Sequence, residues 1–385
     1  MANDYARHAL SQRASFEATY PAVLAATERL KSEPVLRVAD LGAADGVNSH
    51  GLIRDLIAQR AGRPLIYALV DLPTNAWRIA AAHLRDAFGP ATDRGAMVVI
   101  PTEGEAGPAV VDTGTGAHYA SPETHGEACS RALERDLAPT TVVSMAGIPL
   151  HQTPALPRGT VNIAVTGTTM HWIADAGGLA SSGSVFPGHP NHVDEDERRA
   201  WRLAAARQWE RLLEMRSVEL APGGLFVAAI PASPAPCPDR TGLYNEVIGD
   251  INLLLADWRR EGRVGGATVA AAVVPVWSRT LDELRAPFDA AAGSLAGLKL
   301  ESVELFRLDN PYRNDDAAVF ARDYVQSVTA WGGPLLLRAF ACEDETMAAG
   351  LLADFLGELE ERVADAPDRY RWDYVEALVI CRKEG

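Results

Sequence analysis

Arg37-Val38-Ala39-Asp40-Leu41-Gly42-Ala43-Ala44-Asp45-Gly46 is an apolar run that leads into an acidic residue and a glycine turn. Val35 to Leu41 has the length and composition of a strand buried on both faces. Glycine at its end lets the backbone approach a ligand, and a helix starting just beyond offers free N–H groups. The stretch reads as the carboxyl end of a parallel strand, the place where open α/β sheets bind ligands. Working outward, similar short runs occur at Ile66 to Asp71, Thr141 to Ser144, Asn162 to Thr166 and Leu225 to Ile230. They alternate with longer amphipathic segments, which predicts an α/β fold. Ser302 to Leu308 and Glu376 to Cys381 can close one edge, making seven strands.

The clearest helix opens at Asp194 as N-cap, with Glu197 placed as its capping-box partner. Trp201, Ala205, Trp209, Leu212 and Leu213 then share a face, and Pro222-Gly223-Gly224 should stop the helix before a strand. Two regions exceed a minimal sheet. Gly104 to Pro139 is rich in Gly, Thr and Ser and reads as an insertion. The stretch after the breaker run Pro231 to Pro236 continues to about Leu298, too long for a simple crossover. It reads as most of a helical cap over the carboxyl edge of the sheet.

Composition narrows the function. The 385 residues carry 36 basic and 51 acidic side chains, a formal net charge of −15. Such a surface repels phosphate backbones and anionic lipid, so neither nucleic acid nor membrane is an expected partner. Cys129, Cys237, Cys342 and Cys381 show no C-x-x-C spacing and read as lone thiols in a reducing compartment. The apolar stretch Ala267 to Val276 is too short to span a bilayer, and Met1-Ala2-Asn3-Asp4 lacks the start of a signal peptide. A soluble, cytoplasmic protein is expected.

The turn departs from the dinucleotide pattern G-x-G-x-x-G, because position 44 is alanine; D-x-G-x-x-x-G remains. A second strand ends at Asp71, whose carboxylate can accept from both hydroxyls of a ribose. The turn has no lysine or arginine for a phosphate, and Asp40 and Asp45 disfavour one. A cationic, phosphate-free adenosine ligand such as S-adenosylmethionine fits better. A rival site, His189-Pro190-Asn191-His192-Val193-Asp194, has a spacing that could supply metal ligands. It lies in a Gly/Pro loop where Asp194 serves better as N-cap, and no metal is expected.

Several segments carry a family resemblance. Ala39 to Asn48 resembles the first motif of the SABATH methyltransferases, the plant group that methylates salicylate, jasmonate and related acids. Asp71-Leu72-Pro73-x-Asn75 resembles their second motif. Tyr5-Ala6 followed by Gln12-Arg13 is similar to their substrate-gating segment. Thr166 through Met170-His171-Trp172 resembles the strand end with their substrate-contacting tryptophan. Leu220 to Gly224 and Gly333-Pro334-Leu335-Leu336 repeat further landmarks in order. Alanine- and arginine-rich composition points to a bacterial member.

The resemblance implies a class I methyltransferase (Rossmann-like) seven-stranded sheet with a helical cap, usually dimeric, acting with S-adenosylmethionine. It divides the chain into a gating segment at 1–30 and a cofactor-binding core at 31–235, with the insertion at about 104–139. A cap follows at 236–298 and about 310–350, and 299–309 with 351–385 complete the core. Residue by residue, it implies that Asp40, Gly42, Gly46 and Asn48 surround the methionine end of the cofactor. Asp71 would hold the ribose, with Leu72 against the adenine and His151 and Gln152 beside it. Thr166 and Gly167 would lie beneath the sulfonium, and Tyr5 would close over it.

For the acceptor, the family pattern assigns Gln12 and Trp172 to a carboxylate, which needs orienting donors and no base. Trp172 also reads as a core aromatic, and Gln12 as an exposed helix residue. His171 stands where the plant enzymes commonly have methionine. It reads as a pocket wall, a third donor, or a base for a phenol or ring nitrogen. Val247, Ile248 and Trp277 fall where the family lines its acyl or aromatic pocket, and equally where a cap keeps its own core. The expected activity is methylation of a hydrophobic small carboxylic acid, aromatic or fatty. The alternatives are phenol or ring-nitrogen methylation using His171, and a non-catalytic cofactor-binding subunit.

Overall fold

The computed structural model describes residues 8–93, 97–100, 141–151, 153–179, 181, 185–187, 194–233, 245–289, 295, 297–370 and 374–385. Helices α1 (Leu10–Glu17) and α2 (Tyr20–Arg29) lead into β1 (Leu36–Leu41). Next come α3 (Ser49–Arg60), β2 (Leu65–Asp71), α4 (Trp77–Asp93), β3 (Met97–Ile100), β4 (Thr141–Gly147) and β5 (Val161–Gly167). They are followed by α5 (Glu195–Glu219), β6 (Leu220–Pro231), α6 (Asn245–Arg260), α7 (Gly266–Ala271) and α8 (Leu281–Asp289). The chain closes with β7 (Leu298–Leu308), α9 (Ala317–Phe340), α10 (Ala348–Asp365) and β8 (Tyr374–Lys383).

The strands form one sheet in the order β3-β4-β2-β1-β5-β6-β8-β7. Strands β1 to β6 run parallel, and β8 pairs antiparallel with both β6 and β7. All seven strands read from the sequence form, and β3 adds an eighth at the edge beside β4. Sequence order reverses between β1 and β5, so the crevice at their carboxyl ends is the topological switch point. Each central strand is apolar on both faces because both are covered. Val38, Tyr67 and Leu69 pack with Leu52, Leu56 and Leu84, whereas Ala39, Leu41, Ala68 and Val70 pack with Trp209, Leu212 and Phe226.

Helix α5 begins where its cap predicts: the Asp194 carboxylate accepts from the N–H groups of Asp196 and Glu197. Its expected apolar face is buried. The helix ends at Glu219, before the Pro222-Gly223-Gly224 breaker. Glu219 explains this. Its buried carboxylate accepts from Arg216 at 2.6 and 2.8 Å and from the backbone N–H of Ala155, which pins the chain as it turns into β6. His189 and His192 of the rival metal loop, the 104–139 insertion, Cys129 and Cys237 lie outside the described residues.

The cap has its own core. Trp258 of α6 meets Phe340 of α9 and Phe355 of α10 at ring-centroid distances of 5.7 and 5.2 Å. Its indole N–H donates to Glu358 at 2.9 Å, and the Arg263 guanidinium covers its face at 3.6 Å. Two expected boundaries shift as a result. The stretch 351–385 divides, because Leu352, Phe355 and Leu359 of α10 pack in this cap cluster while β8 joins the sheet. Conversely, Leu284 of α8, expected in the cap, is buried against the sheet cluster, and its carbonyl accepts from Trp209 at 3.1 Å.

Removing the cap's central aromatic tests this division. Trp258→Ala should cost about 3–5 kcal/mol by leaving a cavity. The loss should be read as a lower urea midpoint at unchanged slope.

Candidate active site

The carboxyl ends of β1, β2, β4 and β5, helix α1 and the inner side of the cap enclose one cavity of about 560 Å³. Its strand-end side is built by the motifs that flank β1 and β2. Gly42 takes φ of +82°, and a Cβ there would lie 2.1 Å from Thr169 Oγ1, so both backbone and space require glycine. Ala44 is also left-handed, at φ of +49°, a conformation that alanine seldom takes. Two residues of the D-L-P-x-N motif hold it there. Asp71 Oδ2 accepts from the Ala44 N–H at 2.7 Å, and Asn75 Nδ2 donates to the Ala44 carbonyl at 2.5 Å.

Asp71 Oδ1 accepts in turn from the Leu72 N–H at 2.7 Å. Each carboxylate oxygen therefore uses one lone pair locally and keeps another for a ligand hydroxyl. Burial still raises the Asp71 pKa above the ordinary carboxylate range. Asp40 receives the hydroxyls of Ser49 at 2.5 Å and Tyr67 at 2.9 Å, both on Oδ2. Burial outweighs these bonds and pushes its carboxyl up to about 7.

The cavity joins many of the residues singled out from the sequence. Gln12, Asp40, Gly42, Asn48, Asp71, Leu72, His151, Gly167 and Trp172 all line it. Gly46 sits behind the turn with φ of +76°, packed toward Leu69. Thr166 is buried and is not among the lining residues; its hydroxyl donates to the Leu41 carbonyl at 2.7 Å. Tyr5 and Gln152 are outside the described residues. Val247 and Ile248 are buried in the cap cluster, and Trp277 packs with Ile173, Trp201 and Ala205 while donating to Glu283 at 3.3 Å. None of these three is among the lining residues.

His171 is also absent from the lining. It lies buried beside Trp172, their ring centroids 5.5 Å apart, and its Nδ1 has no partner. Burial, helped by the nearby Arg279 guanidinium and by His151, pushes it down to about 3. Burial and the charges of Arg216 and Arg279 bring His151 down to about 4. Both imidazoles are therefore neutral at physiological pH.

Lining residues not foreseen include Phe16, Ser49, Thr169, Ile173, Leu335 and Arg338. Phe16 had a local signal only in hindsight: Gly167 is bare because a Cβ there would lie 2.9 Å from the Phe16 Cα. Among the described residues, no three His, Cys, Asp or Glu side chains converge on a metal position. No described helix is long and apolar enough to cross a membrane.

The chain superposes on a solved structure of loganic acid methyltransferase with SAH at a TM-score of 0.68 and 16% identity, covering 99% of this chain and 96% of that one. This shows the class I methyltransferase fold, cap included. Weaker matches are the [4+2]-cyclase SpnF (TM-score 0.35, 12% identity, 93% and 78% covered) and the cyclopropane synthase MmaA2 from Mycobacterium tuberculosis (0.37, 12%, 94% and 84%). The fold comparison rests on the first alone. No protein-family model and no curated protein matches the sequence.

The buried groups set a pH dependence of stability. His171 sits at about 3 when folded, against an ordinary value near ~6.5, so the unfolded chain takes up its proton first as pH falls. Stability is lost across that window. Asp40 at about 7 and Glu376 at about 8 act oppositely, losing stability as pH rises from near ~4, where their unfolded forms ionise. The two trends overlap, so the comparison must be between variants. As pH falls from about 6.5 to about 4, His171→Met should show a smaller drop in urea midpoint than wild type. Parallel declines would mean that His171 is not buried in its neutral form.

Proposed function

We propose that this chain is an S-adenosylmethionine-dependent O-methyltransferase that converts the carboxylate of a small hydrophobic acid, aromatic or fatty, into its methyl ester. One observation carries the reading: two carboxylates at the strand ends and two neutral donors, Gln12 and Trp172, line a single cavity, and the candidate base His171 does not.

The strand-end residues fit the cofactor. Asp71 keeps lone pairs for a ribose diol, and Gly42 leaves room where a side chain would block the backbone. Asp40 and Asp71, with no lysine or arginine from the adjoining turn, suit a cation without phosphates. When bound, S-adenosylmethionine supplies a methyl group on a sulfonium, a strong electrophile. A cation near Asp40 would favour its ionised form and bring its raised pKa back down.

The acceptor end needs little acid–base chemistry. A carboxylic acid with a pKa near ~4 is already ionised at neutral pH. Transfer forms a carbon–oxygen bond, breaks the carbon–sulfur bond and leaves the electron pair on sulfur, so no proton moves. The chain's task is to align the carboxylate and exclude water. Gln12 and Trp172 orient the oxygens without neutralising them, and Phe16, Ile173, Pro275 and Leu335 give the acid an apolar wall. A phenol or azole would need a base in contact with it. His171 is buried behind Trp172, and His151 is held as a very weak one.

A labelled methyl-transfer screen against acids, phenols and azoles should give methyl esters. Asp71→Ala should weaken cofactor binding by roughly 1.5–3 kcal/mol in calorimetry, because the hydroxyls lose a charged acceptor. His171→Met should keep turnover within about tenfold, against roughly 10²–10⁴ for loss of a true base. With His171 held at about 3, the kcat/KM profile from about pH 5 to about pH 9 should show no limb that this variant removes. A thousandfold loss with disappearance of such a limb would replace carboxyl methylation with phenol or nitrogen methylation.

A further inference from the structure

The cap side of the cavity carries an unused cation. Leu335 and Arg338 of α9 stand three residues apart, so they share a helix face, and both line the cavity. Arg338 is the only lysine or arginine among the described lining residues, and its guanidinium has no hydrogen bond or ion pair to a described residue. Three other arginines of the cap find acids close by. Arg263 meets Glu358 at 2.6 Å, Arg362 meets Asp257 at 2.7 Å, and Arg322 meets Asp323 at 2.9 Å. An arginine that faces a cavity with no partner among the described residues is open to an anionic ligand.

The cavity is thus polarised. Asp40 and Asp71 put two carboxyl groups at the strand end, which a bound cation would hold in their ionised forms. The cap end is apolar at Trp172, Ile173, Pro275 and Leu335, with Arg338 beside them. Resting on the carboxyl-methylation reading, we propose that the acceptor is a dicarboxylic acid with an apolar body, and that Arg338 holds the carboxylate that is not methylated. The planar guanidinium fork matches a carboxylate bidentately and stays charged at every working pH. It would be a poor partner for the reacting carboxylate, because a strong ion pair withdraws charge from the nucleophile. Gln12 and Trp172 suit that end instead. The reaction then yields a half-ester: one oxygen gains the methyl group, sulfur keeps the electron pair, and the second carboxylate leaves unchanged on the product.

The test uses the full chain, labelled S-adenosylmethionine, α,ω-dicarboxylic acids of graded length and monocarboxylic acids of matched length. Wild type should prefer one diacid over its matched monoacid by about tenfold or more in kcat/KM, the effect of one charged hydrogen-bonded contact. Arg338→Gln should lower that diacid-to-monoacid ratio by about 10- to 100-fold, chiefly through KM, and Arg338→Lys should restore part of it. Arg338 is exposed, so neither variant should change the urea midpoint. A second arm titrates the same diacid into protein saturated with S-adenosylhomocysteine, with no turnover required. If no acid is methylated yet wild type binds the diacid and Arg338→Gln does not, carboxyl methylation falls and the anion site stands. If acids are methylated without preference for diacids, or the ratio and the binding ignore Arg338, the inference is overturned and carboxyl methylation stands. Absence of both methylation and diacid binding overturns it as well.

Discussion

Ala44 is gripped at both its N–H and its carbonyl, and the cavity depends on that grip. A left-handed alanine is costly, of order ~1–3 kcal/mol, and persists only where the surroundings enforce it. Here the Asp71 carboxylate takes its N–H and the Asn75 amide reaches its carbonyl. One motif, at the end of β2, thereby fixes the turn at the end of β1. The strand register supports the same geometry, since Asp40 pairs with Leu69 and Leu41 with Val70. With the turn fixed, Gly42 passes against Thr169 after β5, and three strand ends converge on one space. Asp71 is therefore a structural residue as well as a candidate ligand-binding one, and its two oxygens have lone pairs enough for both.

Burial dominates the electrostatics of this space. Asp40 and Asp71 are pushed toward their neutral forms, and His151 and His171 likewise. The surroundings are thus ones in which few charges are comfortable, apart from Arg338 at the exposed cap side. A cationic ligand at the strand ends and an anionic one beneath the cap would each meet its complement. Selectivity of this kind costs stability in the free protein, because the groups are desolvated before any ligand offsets it.

The sheet was legible because its central strands are buried on both faces, which leaves short unbroken apolar runs bounded by glycine and acid. β3 was not: Met97–Ile100 is only four residues and owes its strand character to pairing with β4. Spacing identified Asp40, Gly42 and Asp71, but it could not show that Asn75 works with Asp71 on the same residue, Ala44. Val247 and Ile248 expose the limit of apolar periodicity. A pocket wall and a cap core want the same side chains at the same spacing, and only the packing around Trp258 assigns them to the core. Arg338 shows the converse. A lone arginine on a long helix reads as a solvated face, and only the three-residue offset from Leu335, seen in place, turns it toward the cavity.

Helix α1 is where core and cap meet around Gln12. Below it, Phe16 lies on Gly167 at the end of β5, and the Ser15 hydroxyl donates to the buried carboxylate of Glu376 on β8. To one side, Arg13 and Tyr20 donate to Asn48 at the start of α3, at 3.3 and 3.0 Å. Above, the Tyr312 hydroxyl accepts from the Leu10 N–H at 3.0 Å and donates to the carbonyl of His8. Tyr312 belongs to the cap cluster, stacked edgewise on Tyr324 of α9. Gln12 is therefore positioned by the sheet, the turn helix and the cap together. Any movement of the cap relative to the core has to pull on the same short helix that carries Gln12, which couples the shape of the cavity to the placement of this side chain.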